Sequence, residues 1–219
     1  MTTGVIINGL NTKEDLGMVM LDDLSISAPS LKSEYVDVPG MNGALDYTDA
    51  LTGYPLYNMR DIGFTLFGRY DTDELTQIRD YLFKHYNGRT CDVVTPDKPG
   101  YHWHGRVTVG ALQSYRGGRI PISIHAQPYR LKDTMTTLTH SLSAGTAQDI
   151  SLTCEGMPTL PTYTCTSACT LTDEDGNTYS LSAGTSAQFP ALMLSDDMTI
   201  TAEADTAGTL TIEFQEGTL

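Results

Sequence analysis

The sequence predicts a mainly-β chain in two parts: an α+β first domain, β-sandwich-like with one packed helix, and a small β-sandwich after it. Three observations carry that prediction. Apolar and polar residues alternate over most of the 219 positions, the period of a half-buried strand. Residues 71–88 alone combine helix caps with an apolar stripe at helical spacing. Charge is also divided: all 13 Lys and Arg lie between Lys13 and Lys132, whereas residues 133–219 hold 12 Asp or Glu and no cation. One folding unit rarely partitions its charge so completely, so the expected domains are 1–132 and 133–219.

Taken in order, Val5-Ile6-Ile7 opens a strand that Asn8-Gly9 ends. Residues 18–24 and 33–38 read as further strands, separated by Ala28-Pro29-Ser30, with Val36 and Val38 on one face. Pro39-Gly40-Met41-Asn42-Gly43 is a turn, and residues 45–54 read as a structured loop. In the strand at 61–67, Ile62, Phe64 and Leu66 share a side. The helix then begins at Asp71, a natural N-cap, with Glu74 at capping-box spacing. Leu75, Ile78, Leu82 and Tyr86 form its stripe, and Asn87-Gly88 closes it. A lone amphipathic helix must bury its stripe on a sheet. Strands follow at Thr90–Val94, Tyr101–Val109 and residues 119–126, with turns at Lys98-Pro99-Gly100 and Arg116-Gly117-Gly118. Residues 128–133 read as the exit from the first domain.

In the second domain, Met198, Ile200, Ala202 and Ala204 share one face of a strand, as do Leu210, Ile212 and Phe214 of the next. Residues 205–208 between them read as a hairpin loop. A second hairpin joins Cys169–Thr172 to Thr178–Leu181 around residues 173–177. Short strands at regular spacing without a helix signal predict a sandwich.

Composition removes several function classes. No apolar run is long enough to span a bilayer, so no membrane partner is expected. The N-terminus has neither a charged n-region nor an apolar core, so no signal peptide is expected and assembly is expected in the cytoplasm. The net charge of −14 and the lack of a dense basic stretch disfavour a grip on nucleic acid. Cys91, Cys154, Cys165 and Cys169 read as free thiols, too few and too dispersed for a disulfide scaffold.

A family pattern is carried by the first domain. Tyr35-Val36-Asp37-Val38-Pro39-Gly40-Met41-Asn42-Gly43 resembles the V-D-V-P-G turn of phage distal tail (Dit) proteins. Asp49-Ala50-Leu51-Thr52-Gly53 is similar to the A-L-T-G-like segment that follows, and Tyr57-Asn58-Met59-Arg60-Asp61-Ile62-Gly63-Phe64 resembles the family's next strand. The helix running into Asn87-Gly88-Arg89, the aromatic strand at 101–106, and Asn8-Gly9 with Glu14-Asp15-Leu16-Gly17 fit the same pattern. The end of the chain, from Gly208, looks like the closing strand of the family's galectin-like domain.

The resemblance implies a structural virion protein at the tail tip. N-terminal domains would form a ring, usually a hexamer, at the distal end of the tail tube, joining tube to tip or baseplate. DNA would pass through its channel without specific binding. Partners would be further copies of the chain, the tail tube protein and a tail-associated tip protein. Arg60, Arg106, Arg116, Arg119 and Arg130 are the candidate inter-subunit contacts, because guanidinium forks pair carboxylates with defined geometry.

Other constellations were weighed against plainer readings. His102-Trp103-His104 has zinc-like spacing but no third ligand in sequence, and an aromatic strand is preferred. Cys154, Cys165 and Cys169 have no fourth Cys in their domain and only His140 as a further candidate ligand, so free thiols are preferred. Asp173-x-Asp175-Gly176-Asn177 lacks the later Glu of a calcium loop and reads as a turn. No catalytic, cofactor or metal site is therefore expected, and no enzyme. The alternative function is a carbohydrate-binding module. Against it, the second domain has no Trp and only Tyr163, Tyr179, Phe189 and Phe214 as aromatics.

Overall fold

The structure is a computed structural model that describes residues 3–50, 52–113 and 117–219. The chain forms two compact units, the first ending at Leu131 and the second running Lys132–Leu219. Both are built from antiparallel strands, and the mainly-β expectation is met.

In the first unit, β1 (Ile6–Ile7) and β2 (Leu10–Asn11) pair around Asn8 and Gly9, whose φ angles of 46° and 86° give a two-residue left-handed turn. The chain continues through β3 (Val19–Met20), β4 (Ser25–Ile26), β5 (Tyr35–Asp37), β6 (Ala44–Asp46) and β7 (Arg60–Gly68). After the helix α1 (Thr72–Tyr86) come β8 (Thr90–Val94), β9 (Tyr101–Val109) and β10 (Gly118–Ala126). The main sheet has the order β2-β1-β8-β9-β10-β7-β3, with β4 also on β7. Its long centre is the β7–β10 pair, in register from Gly68↔Gly118 to Arg60↔Ala126.

Alternation along these strands sends Ile62, Phe64, Leu66, Val107, Val109, Ile120, Ile122 and Ile124 into one core. Leu75 and Leu82 of α1 complete it, so the helix lies on the sheet as expected. The caps are formed in full: Glu74 N donates to Asp71 Oδ1 at 2.8 Å, and Asp71 N donates back to Glu74 Oε2 at 3.4 Å. Gly118 is needed for the close approach, since a Cβ there would collide with Leu75.

The strands expected at 18–24 and 33–38 are shorter. Residues 19–26 do run beside β7, but Asp23 interrupts the ladder: its Oδ1, not a backbone carbonyl, accepts from Thr65 N at 3.0 Å. Hydrophobic pattern cannot reveal a carboxylate that substitutes for a ladder acceptor.

In sequence, β11 (Arg130–Lys132) spans the division at Leu131 and Lys132. The second unit then contains β12 (Thr136–Leu142), β13 (Gln148–Leu152), β14 (Thr162–Cys165), β15 (Cys169–Thr172), β16 (Thr178–Leu181), β17 (Ser186–Gln188), β18 (Met198–Ala204), β19 (Gly208–Phe214) and β20 (Gly217–Thr218). Two four-stranded sheets, β12-β19-β14-β17 and β13-β18-β15-β16, enclose a single core. The hairpin around residues 173–177 forms as expected, with Cys169↔Leu181 and Thr172↔Thr178 in register.

The hairpin expected at 205–208 does not form. β18 pairs with β13 and β15, and β19 with β12 and β14, so residues 205–208 carry the chain from one sheet to the other. The two apolar faces meet across the sandwich instead of lying side by side. Periodicity tells which face is apolar and not which strand is the neighbour. At its start and end the unit is tied to itself: Lys132 N donates to Glu216 O at 3.0 Å, Gln215 Nε2 donates to Lys132 O at 2.7 Å, and the Lys132 ammonium contacts the Glu216 carboxylate.

Candidate functional site

Residues 27–59 leave the sheet between β4 and β7 and return to it as an antiparallel ribbon. Asn58 N donates to Ser30 O and Lys32 N to Leu56 O, both at 2.8 Å, and Tyr47 N donates to Glu34 O at 2.8 Å. Beyond these bonds, β5 and β6 pair only with each other, with Val36 opposite Leu45. The tip turns at Gly40 and Gly43, whose φ angles of 87° and 81° suit glycine.

Among the described residues, no side chain of this arm joins the core of the first unit. Leu31, Tyr35, Val36, Val38, Met41, Leu45, Tyr47, Leu56 and Met59 are all exposed, with Tyr35 at 62%. At the base, Lys32, Glu34, Tyr47, Thr48, Thr52 and Leu56 line a groove of about 580 Å³. An isolated two-stranded ribbon is marginal in water. Nine exposed large apolar side chains in one ribbon are more than scattered surface residues would supply. Sequence reading placed Val36 and Val38 on a single strand face and did not see that both faces are uncovered. The signal was available in Tyr35-Val36 and in the apolar residues of 45–56, which do not keep to one parity.

The arginines divide into two groups. Arg60 and Arg130 are buried, each 7% exposed, and differ from the surface contacts expected of them. Their guanidiniums approach the ring of Trp103, with Cζ atoms 5.2 and 4.4 Å from its centroid. Arg60 donates through Nε and Nη2 to Ser27 O at 2.9 and 2.7 Å, holding the base of the arm. Burial lowers the Arg60 pKa, with the Arg130 charge adding to the effect. Arg130 Nη2 meets Asp97 Oδ2 at 2.8 Å. Burial alone would raise the Asp97 carboxyl, but hydrogen bonds from Thr95 and Arg130 outweigh it and hold the group below its ordinary value. The Trp103 Nε1 donor is buried without a partner among the described residues.

Arg106 and Arg119 are exposed on the first unit. Arg106 Nη1 contacts Gly88 O just past α1. Arg119 N and O bond Gln113 O and N at 2.8 and 2.9 Å through the backbone. Arg116 lies outside the described residues, as does Leu51 of the expected family motif.

The remaining constellations are occupied locally. Asp92, directly opposite His104 on the β8–β9 pair, places Oδ1 2.6 Å from His104 Nδ1 and 3.9 Å from His102 Nε2. Among the described residues no group of three such side chains is arranged to hold a metal ion. Asp173 Oδ1 accepts from Asp175 N and Asn177 N at 3.1 and 2.8 Å, and Oδ2 accepts from Asn177 and Tyr179. This carboxylate is consumed in building its own turn. The four cysteines are free thiols, and burial, helped by the neighbouring Cys165, pushes Cys169 up to about 12. Tyr163 and Phe214 are buried, and Phe189 stacks between Tyr163 and Tyr179 with centroids 6.1 and 5.3 Å away. The aromatics of the second unit thus pack in or against its core.

This architecture, a sheet with one helix and a ribbon arm followed by a β-sandwich, is shared as a fold with a solved phage distal tail protein. In particular, the chain is similar to the solved structure of SPP1 Dit (gp 19.1), described as a paradigm of the hub adsorption apparatus in phages that infect Gram-positive bacteria. The correspondence covers 99% of each chain at a TM-score of 0.65 and 14% identity, a likeness of fold. No family model matches the sequence, and no curated protein matches it.

Proposed function

We propose that this chain is a structural virion protein that closes into a ring, of six copies, at the distal end of a phage tail tube. The ring joins tube to tip or baseplate and leaves a bore through which DNA passes without specific binding. Its partners are its own copies, the tube protein above and a tail-associated tip protein below. It is assembled in the host cytoplasm and carried in the tail tip, and its work is geometric, not catalytic.

The observation that carries this reading is the arm, an apolar ribbon with no core of its own on a chain whose fold follows a tail hub protein from end to end. One side of a standard protein interface takes about 20–30 residues. Residues 27–59 offer that many outside the core. Arg106 and Arg119, exposed on the same unit, are the candidate guanidiniums placed to set subunit register, while Arg60 and Arg130 act from inside. The second unit supports an outward position by its charge. Six copies of it would concentrate roughly 70 negative charges, which repel one another unless they splay into solvent.

Electron microscopy of virions labelled with an antibody to the second unit tests the location. Label in a collar at the distal end of the tube is the expected result. Label along the tube, on the capsid, or nowhere on the particle would remove the proposal.

A further inference from the structure

Ring closure by identical copies requires each copy to carry two different, complementary surfaces, because head-to-tail contacts are heterologous. The arm is one. Resting on the ring reading above, we propose that the second is the C-terminal half of α1 with the basic residues around its end, and that it receives the arm of the next copy.

Outside the arm, the first unit exposes only three large apolar side chains among its described residues: Ile6, Tyr81 and Phe83. Tyr81 and Phe83 both lie in the C-terminal half of α1, one on either side of the stripe that faces the core. Tyr81 lies against His85 with ring centroids 4.5 Å apart, and Arg79 lies over Phe83 with Cζ 4.4 Å from the ring. Neither aromatic contributes to the core, which α1 reaches through Leu75, Ile78, Leu82 and Tyr86. Lys84 stands exposed between them. Just beyond the helix, Arg89 Nη2 donates to Lys84 O at 3.4 Å and Arg106 Nη1 contacts Gly88 O, so two further cations gather at this end.

The arm is the complement in charge as well as in polarity. Across residues 27–59 it carries Glu34, Asp37, Asp46 and Asp49, all exposed, against a single cation, Lys32 at its base. Cations at a helix C-terminus are favoured by the helix dipole alone. The dipole gives no reason for two solvent-exposed aromatics beside them, whereas an acidic apolar ribbon from a second copy gives one. Opposite charges at the rim then set orientation and disfavour the self-pairing of two arms or of two helix ends.

The test uses two full-length variants, each broken on one surface only. An arm variant carries Val36→Ser, Asp37→Lys and Leu45→Ser. A helix variant carries Phe83→Ser, Lys84→Glu and Arg89→Glu. All six positions are exposed, and unchanged circular dichroism and melting confirm that each variant is folded. Alone, each should sediment as a single copy. Mixed, they should form a one-to-one dimer and nothing larger, since the intact arm of one fits the intact helix end of the other and the pair cannot propagate. A helix variant that assembles like wild type, or a mixture that stays monomeric, overturns this inference and leaves the ring reading standing. An arm variant that still assembles also overturns this inference and leaves the ring to other contacts, whereas a wild-type chain that never assembles removes the ring reading and this inference with it.

Discussion

The two units of this chain are both antiparallel β structures, yet they treat their surfaces in opposite ways. The second unit closes on itself. Its apolar strand faces meet in one core, its aromatics are packed in or against that core, and Met135 and Leu219 are its only exposed large apolar residues. The first unit builds an equally dry core and then leaves a ribbon of nine large apolar side chains outside it. One unit is complete as a single copy, and the other carries surface that folding does not use. On the proposed reading, that unused surface is where one copy would meet the next, and the acidic sandwich would take no part in the contact.

If the cores are equivalent, cavities in either should cost the same. Trp103→Ala removes a 1%-exposed ring from between two arginines, and Ile212→Ala removes a fully buried side chain from the sandwich. Losses of about 3–5 and 2–5 kcal/mol are expected in denaturant titrations. A loss below about 1 kcal/mol in either would show that its core is looser than the structure describes.

The next effect is acid sensitivity. Asp97 and Glu216 both sit below their ordinary values of 3.8 and 4.5, because hydrogen bonds and cationic partners outweigh burial. A carboxylate with a lowered folded pKa stabilises fully above its unfolded value and loses that contribution as pH falls through the folded one. Melting temperature should therefore hold from pH 7 to about 5 and fall below about 4. Asp97→Asn should lower the neutral-pH melt and flatten the part of the acid decline that belongs to the first unit. An unchanged decline would detach Asp97 from it.

A smaller effect belongs to the helix cap. Asp71→Ala removes the acceptor for Glu74 N and should cost about 1 kcal/mol in the denaturation midpoint. Smallest in stability is Arg119→Glu on the exposed face, expected within about 0.5 kcal/mol of wild type while impairing assembly. A large drop in melting temperature would instead make Arg119 an internal support.

These contrasts also mark where sequence reasoning works. The helix was legible because its cap, stripe and closing glycine are local, and β8, β9 and the β15–β16 hairpin were legible because alternation and turns are local too. Features that depend on distant partners were not. Asp23 replaces a ladder acceptor on β7, residues 205–208 cross between sheets, and Arg60 and Arg130, 70 positions apart in the chain, both approach the ring of Trp103. The candidate interface was half legible. Its turn and its apolar residues stand in the sequence, but an alternating strand looks the same whether its covering surface belongs to the same chain or to another.

The most direct check on that last point is the native mass of the purified chain across a concentration series. The account predicts a closed species of six copies of the 23.8 kDa chain that grows at the expense of the monomer and does not extend into filaments. A single copy persisting to the highest soluble concentration would contradict it.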